Sequence, residues 1–170
     1  MIGGLVWDPL SSTSEFFSCL VSADRVAFWV GDQERQTVIN QAELFPCLVA
    51  RLTWPHLLSG RRNLSFIDND GARDSLIRGY SRFSTNGQLI GAIWYEDAVT
   101  RTASWYDRVP SPSNPSDGPS RGDYSLMPML CSSVRVAPII PPCLSSREGP
   151  ELDCSVLGKR WGGPSAPSFQ

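Results

Sequence analysis

Phe66-Ile67-Asp68-Asn69-Asp70-Gly71-Ala72-Arg73 is the stretch whose reading decides the fold. A short apolar run, Leu64 to Ile67, stops at an acid, an amide and a second acid, and a helical pattern follows from Ala72 to Gly79. This predicts a buried strand whose C-terminal end delivers a carboxylate where a helix begins. In open α/β sheets, ligands and metals gather at that edge. Asx residues after a strand also form turns and cap helices, so on its own the octapeptide reads first as a cap.

Working outward, Ile39 to Leu58 carries the clearest helical periodicity, with Leu44, Cys47, Leu48, Arg51 and Leu52 at three- and four-residue spacing. Asn40 is the candidate cap, Pro46 is tolerable in the first turn or so, and Pro55 should end or kink the helix near Trp54. Ile2 to Trp7 reads as a strand entered through Gly3-Gly4, with Asp8-Pro9 as a turn and Phe16 to Val21 as its antiparallel partner. Arg25 to Val30 reads as a further strand or an extended lead-in, and Gly31 to Thr37 as a loop. Downstream, Leu89, Ile90, Ile93, Trp94 and Ala98 predict a helix over Gly87 to Val99. Ala103 to Val109 alternates as a short strand, and Pro110 to Arg121 is rich in turn residues. Half of the fourteen prolines fall after Gly122, where no apolar periodicity is visible. The chain therefore divides into a folded domain over residues 1–121 and a disordered Pro/Ser-rich tail over residues 122–170.

A chain of 170 residues with 41% hydrophobic and 19% charged residues can build a full core. Its net charge of -2 gives no global pull toward nucleic acid, so such binding would use a local basic patch. Five cysteines without a C-x-x-C pair support neither a disulfide framework nor a zinc site, and Cys19 and Cys47 read as small core residues. No apolar run reaches transmembrane length and no leader pattern opens the chain, which predicts an intracellular protein with no membrane partner.

Three acids stand out in this element order: Glu43 in Gln41-Ala42-Glu43-Leu44, Asp68 in Phe66-Ile67-Asp68-Asn69, and Asp117 in Asn114-Pro115-Ser116-Asp117-Gly118-Pro119-Ser120-Arg121. The pattern resembles the ribonuclease H domain of reverse-transcribing elements. In that family a helix carries an "AEL" acid, the next strand a "DN" acid, and the C-terminal segment an acid within N-x-A-D-x-x-S-R. The resemblance covers Met1 to about Gly122, and Ser116 stands where the family usually has alanine. It implies an α/β fold, an RNase H-like mixed sheet with flanking helices. It also implies that Glu43, Asp68 and Asp117 are three of four catalytic, metal-binding carboxylates. Two Mg²⁺ (or Mn²⁺) ions and an RNA–DNA hybrid substrate belong to the same implication, as does a place in a larger reverse-transcriptase polyprotein. The chemistry explains the acids. Two divalent ions about 3.5–4 Å apart activate water and stabilise the leaving oxygen in phosphodiester hydrolysis, and carboxylates are the hard ligands such ions prefer. Asp70 is a nearby acid without a family role.

The family's first strand, with its own acid, has no counterpart here. Ile2-Gly3-Gly4-Leu5-Val6 looks like the family's second strand, and Asp8 follows the glycine pair instead of preceding it. The resemblance thus implies an N-terminally truncated sheet with two neighbours left unpaired, a metal site short of a ligand, and an enzyme inactive or nearly so as written. Alternatives are a non-catalytic nucleic-acid-binding remnant using Arg61, Arg62, Arg73, Arg78 and Arg82, and an integrase or exonuclease of the same broad fold. A globular domain with no nucleic-acid role is the plainest. His56 beside Pro55 reads as structural, and Trp54, Trp94 and Trp105 read as core.

Overall fold

The computed structural model describes residues 1–31, 38–129 and 133–142. The chain is mixed α/β, with short sheets and flanking helices. Strand β1 (Ile2–Asp8) turns back into β2 (Thr13–Cys19), antiparallel, with Ile2 opposite Cys19 and Asp8 opposite Thr13. The turn is built on Asp8, whose carboxylate accepts from Leu10 N at 3.1 Å and from Ser11 Oγ at 2.6 Å. Two helices follow, α1 (Ala23–Gly31) and α2 (Ile39–Thr53), then a single turn, α3 (Pro55–Leu58). Strand β3 (Arg62–Ile67), α4 (Asp70–Arg78), α5 (Ser84–Thr100) and β4 (Ala103–Arg108) form a crossover that brings β4 parallel to β3, Arg62 opposite Ala103. A 3-10 turn at Ser111–Ser113 and a one-turn helix, α6 (Asp117–Ser120), precede β5 (Val134–Arg135), which pairs parallel with β2.

The hydrogen bonds make two sheets, β1-β2-β5 and β3-β4. Both rest on α2. Leu44, Phe45, Leu48 and Val49 of this helix are all buried, at the three- and four-residue spacing that gives a helix one apolar face. Beyond its C-terminal end, Trp54 packs against Phe17 of β2, ring centroids 5.1 Å apart, and donates to Glu15 Oε2 at 2.9 Å. On the other side Arg51 reaches the second sheet. Its guanidinium donates to Asp97 of α5 at 3.2 Å, Ser104 Oγ at 3.0 Å and Tyr106 Oη at 3.2 Å, and it is 3% exposed.

Several expectations hold, with shifted bounds: β1, β2, α2, β3, α4, α5 and β4 all form. The break at Trp54 forms as well, with Pro55 opening the next turn. Others need correction. Arg25 to Val30 is helix, not strand. Arg25 and Trp29, four apart, both face inward onto Phe45. Trp29 meets its ring edge-on at 5.5 Å and Arg25 lies 4.3 Å over the centroid. A short apolar run cannot by itself separate buried strand from buried helix. Asn40 lies inside the first turn of α2, which starts after Val38 with no side-chain cap. Pro46 is not in the first turn but at the eighth residue, where it removes a helical N–H bond. Trp54 is core, but Trp94 and Trp105 are 50% and 71% exposed. The expected tail also begins too early. Met127 is 2% exposed, Val136 N donates to Phe16 O at 2.9 Å, and β5 extends the first sheet. Residues 143–170, and most of the loop expected at Gly31 to Thr37, lie outside the described residues. Cys19 and Cys47 are free thiols packed against the core. No helix among the described residues is long and apolar enough to cross a membrane.

The Arg51 network gives a stability prediction. Asp97→Ala leaves a buried guanidinium without its counter-charge and should cost about 3–5 kcal/mol in urea denaturation. Arg51→Met combined with Asp97→Leu should recover most of that loss.

Candidate functional site

The stretch from Phe66 to Arg73 divides its duties between adjacent residues. Ile67 ends β3 buried in the core, at 4% exposure. Asn69 is the cap of α4, its Oδ1 accepting from Ala72 N at 2.8 Å, and Gly79 closes the helix in the left-handed region at φ 66°. Asp70 lies in the first turn, exposed, with Arg73 at 3.2 Å and Arg108 at 3.3 Å. Asp68 is therefore left to point elsewhere. With Asn69 doing the capping, the acid at the strand end is free for other chemistry.

Three elements bring the predicted acids to this end of β3. Glu43, half-buried on the second turn of α2, lies near enough to Asp68 and Asp117 for both to raise its pKa. Asp117 opens α6, and its carboxylate accepts from Arg121 Nη2 at 3.0 Å. Helix α6 sits there because Gly3 has no side chain. A Cβ on Gly3 would lie 2.6 Å from Ser120 N and 2.9 Å from Ser116 O. Ser18, opposite Gly3 in the register, donates to Pro119 O at 2.7 Å and holds α6 on the same sheet face.

Asn114 connects the loop to the cluster. Its Nδ2 donates to Asp68 Oδ2 at 3.2 Å, and its Oδ1 accepts from Ser116 N at 3.0 Å. Asn114 stands in the third motif, but nothing in the sequence assigned it this contact. Its spacing, three residues before the acid, was the available signal.

Crowding sets the charge state. Burial, then the Asp68 charge and hydrogen bond, then Asp117, raise the Glu43 carboxyl to about 7. Burial and the neighbouring carboxylates therefore favour the protonated form of Glu43 around neutrality. A hard divalent cation would relieve the same excess of negative charge, so the donor chemistry suits Mg²⁺ or Mn²⁺. The arrangement does not yet suit it. Among the described residues no three His, Cys, Asp or Glu side chains are grouped so as to hold a metal ion.

The other candidates are dispersed. Asp8 is at the opposite end of β1 from Gly3, where Ser11 and Arg61 lower its carboxyl to about 2; Arg61 Nη1 lies 2.9 Å from it. His56 is exposed, 3.6 Å from Glu15. Arg73 is engaged with Asp70 and Asp74. Arg62, Arg78 and Arg82 are exposed, Arg82 stacking on Phe83 at 4.7 Å. Comparisons with protein-family models, curated proteins and solved structures found no match.

The raised Glu43 pKa fixes the sign of a pH effect. The folded value of about 7 exceeds the ordinary glutamate value of 4.5, so folding favours the protonated acid. Its contribution is fully present below pH 4.5 and is lost as pH rises through 7. Glu43→Gln should raise Tm by a few degrees at pH 8 and leave it nearly unchanged at pH 4.5. Melting curves at the two pH values check this.

Proposed function

We propose that Glu43, Asp68 and Asp117 belong to a ribonuclease H-type site, whose substrate class is the RNA strand of an RNA–DNA hybrid. The observation that carries this reading is the meeting of three acids from α2, the end of β3 and the start of α6. They lie far apart in sequence, in the order of the three motifs. The RNase H-like arrangement of the sheets and a retroelement reverse-transcriptase setting belong to the same proposal. Contacts of both half-sheets with the α2 region support it, through Trp54 on Phe17 and Arg51 on Ser104 and Tyr106.

In this reading Glu43, Asp68 and Asp117 would be the residues to hold divalent ions, which would supply an activated water and stabilise the leaving oxygen. The chain's own contribution is positional. Asn69 takes over the capping of α4, Asn114 orients Asp68, and Gly3 lets Asp117 approach. Three acids are fewer than the four carboxylates that the resemblance implies, so low turnover is the expected outcome.

A second reading is kept by the exposed Arg62, Arg78 and Arg82, which take part in no ion pair among the described residues. They would let the domain bind nucleic acid without cutting it. Hybrid binding that weakens steeply with salt, with no cleavage in either metal, would favour that reading.

The decisive experiment pairs Mn²⁺ titration calorimetry with a hybrid-cleavage assay. The expected result is measurable Mn²⁺ binding that strengthens as pH rises through 7, because the metal competes with the Glu43 proton. Asp68→Asn should weaken it by about tenfold or more, and cleavage of a hybrid in Mg²⁺ should stay near background. Mn²⁺ binding unchanged in Asp68→Asn and Asp117→Asn would refute the site. Robust Mg²⁺-dependent turnover by the 170-residue chain would refute the expectation of low activity.

A further inference from the structure

Asp70, the second acid of the Phe66 to Arg73 stretch, holds two arginines. Its Oδ1 lies 3.2 Å from Arg73 Nη1, and its Oδ2 lies 3.3 Å from Arg108 Nη1. Arg73 also reaches Asp74, at 2.9 Å, whereas Arg108 has no second ion pair among the described residues. Both partners of the Arg108–Asp70 pair are more than half exposed, at 55% and 53%, so it contributes little to stability. What the pair does set is the position of a cation.

Arg108 is the last residue of β4 and stands opposite Ile67, the residue before Asp68. Val109 N donates to Ile67 O at 3.1 Å, so the two strands stay paired to this point. Neighbouring strands lie about 4.8 Å apart, which puts the Arg108 backbone one strand spacing from the end of β3 that carries Asp68. Alternation places Arg108 on the face of Tyr106, whose hydroxyl meets Arg51 of α2 and Asp97 of α5. Asp107, on the other face, turns its carboxylate back to accept from Arg108 N at 2.7 Å. A positive charge thus stands at the rim of an acid cluster that would otherwise repel a phosphate. Two other arginines lie near, and both are engaged. Arg121 neutralises Asp117, a member of the cluster, at 3.0 Å, so moving it would uncover that acid. Arg73 is divided between Asp70 and Asp74. Arg108 differs, because Arg73 remains to neutralise Asp70 if Arg108 leaves.

We propose that Arg108 is a phosphate-binding residue of the acid site, exchanging Asp70 for a backbone phosphate of the nucleic-acid strand that lies across Glu43, Asp68 and Asp117. It rests on the ribonuclease reading for its substrate class, and names the cationic contact that three acids alone do not provide. The guanidinium suits the task. It keeps its charge at every working pH and presents paired donors to two phosphate oxygens. Asp70 is the placeholder. It holds the side chain at the strand end while no phosphate is there, which limits the rotamer freedom lost on binding.

The test measures binding of a short fluorescein-labelled RNA–DNA hybrid to the full 170-residue chain by anisotropy, in EDTA, across a salt series. Arg108→Gln should weaken binding about tenfold at low salt and lower the slope of log affinity against log salt by about one contact. Arg108→Lys should keep the slope, since the charge stays. Asp70→Asn alone should tighten binding about two- to fivefold by freeing Arg108, and should change nothing when combined with Arg108→Gln. An unchanged slope in Arg108→Gln, an equal effect of Asp70→Asn with and without Arg108, or no binding by the unaltered chain would overturn the proposal. Calorimetry keeps the acid site and the phosphate contact apart, because Arg108→Gln should leave Mn²⁺ binding without nucleic acid unchanged. Mn²⁺ binding that is indifferent to Asp68→Asn, with the Arg108 slope effect intact, would remove the metal site and leave the phosphate contact. Mn²⁺ binding weakened by Asp68→Asn, with no slope effect at Arg108, would remove the phosphate contact alone.

Discussion

Helix α2 is the constraint on which the rest of the structure depends. Among the described residues the two sheets share no ladder hydrogen bond, so their strand pairing does not fix one relative to the other. That task falls to side chains at one end of the helix. Trp54 engages Phe17 and Glu15 of the first sheet, and Arg51 engages Ser104 and Tyr106 of the second. A buried guanidinium tolerates few positions, because each must offer acceptors to offset its desolvation. Arg51 therefore sets the register between α2, α5 and β4 more strictly than apolar contacts alone would.

The carboxylate cluster follows from that placement. Glu43 lies two turns before Arg51 on the same helix, so fixing α2 against β3-β4 also fixes Glu43 against the end of β3. Asp117 is positioned by the other sheet, through the close approach of α6 to Gly3. The acids are thus carried by both halves of the molecule, and the charge they concentrate is visible in the raised Glu43 pKa. In folding terms this arrangement is unfavourable: like charges are gathered where burial weakens their hydration. Residues that oppose stability in this way are commonly found at functional sites.

Much of this was legible in the sequence, and the limits have physical causes. The strand-acid-helix pattern at Phe66 to Arg73 was readable because burial, a capping amide and helical periodicity each leave a local signature. The helix over Ile39 to Thr53 was readable from its apolar spacing. Helix α1 was not, because Arg25 to Val30 is too short and too uniformly apolar for its period to be distinguished from a strand's. Trp94 and Trp105 sit at periodic positions, but their exposure depends on which faces of the folded molecule remain uncovered. The contributions of Met127 and Val134–Arg135 rest on one buried side chain and a two-residue pairing, neither of which leaves a periodic trace. For the site, the three acids could be named from their motifs. That Asp68 and Asp117 would raise the Glu43 carboxyl, and that Asn114 would donate to Asp68, required the fold.

The central claim is that Glu43, Asp68 and Asp117 act on one another as a single cluster. The most direct measurement is the pH titration of the Glu43 side-chain carboxyl carbon by NMR, in the unaltered chain and in Asp68→Asn. The account predicts an apparent pKa near 7 that falls when the Asp68 charge is removed. A Glu43 that titrates near 4.5 in both proteins would contradict it.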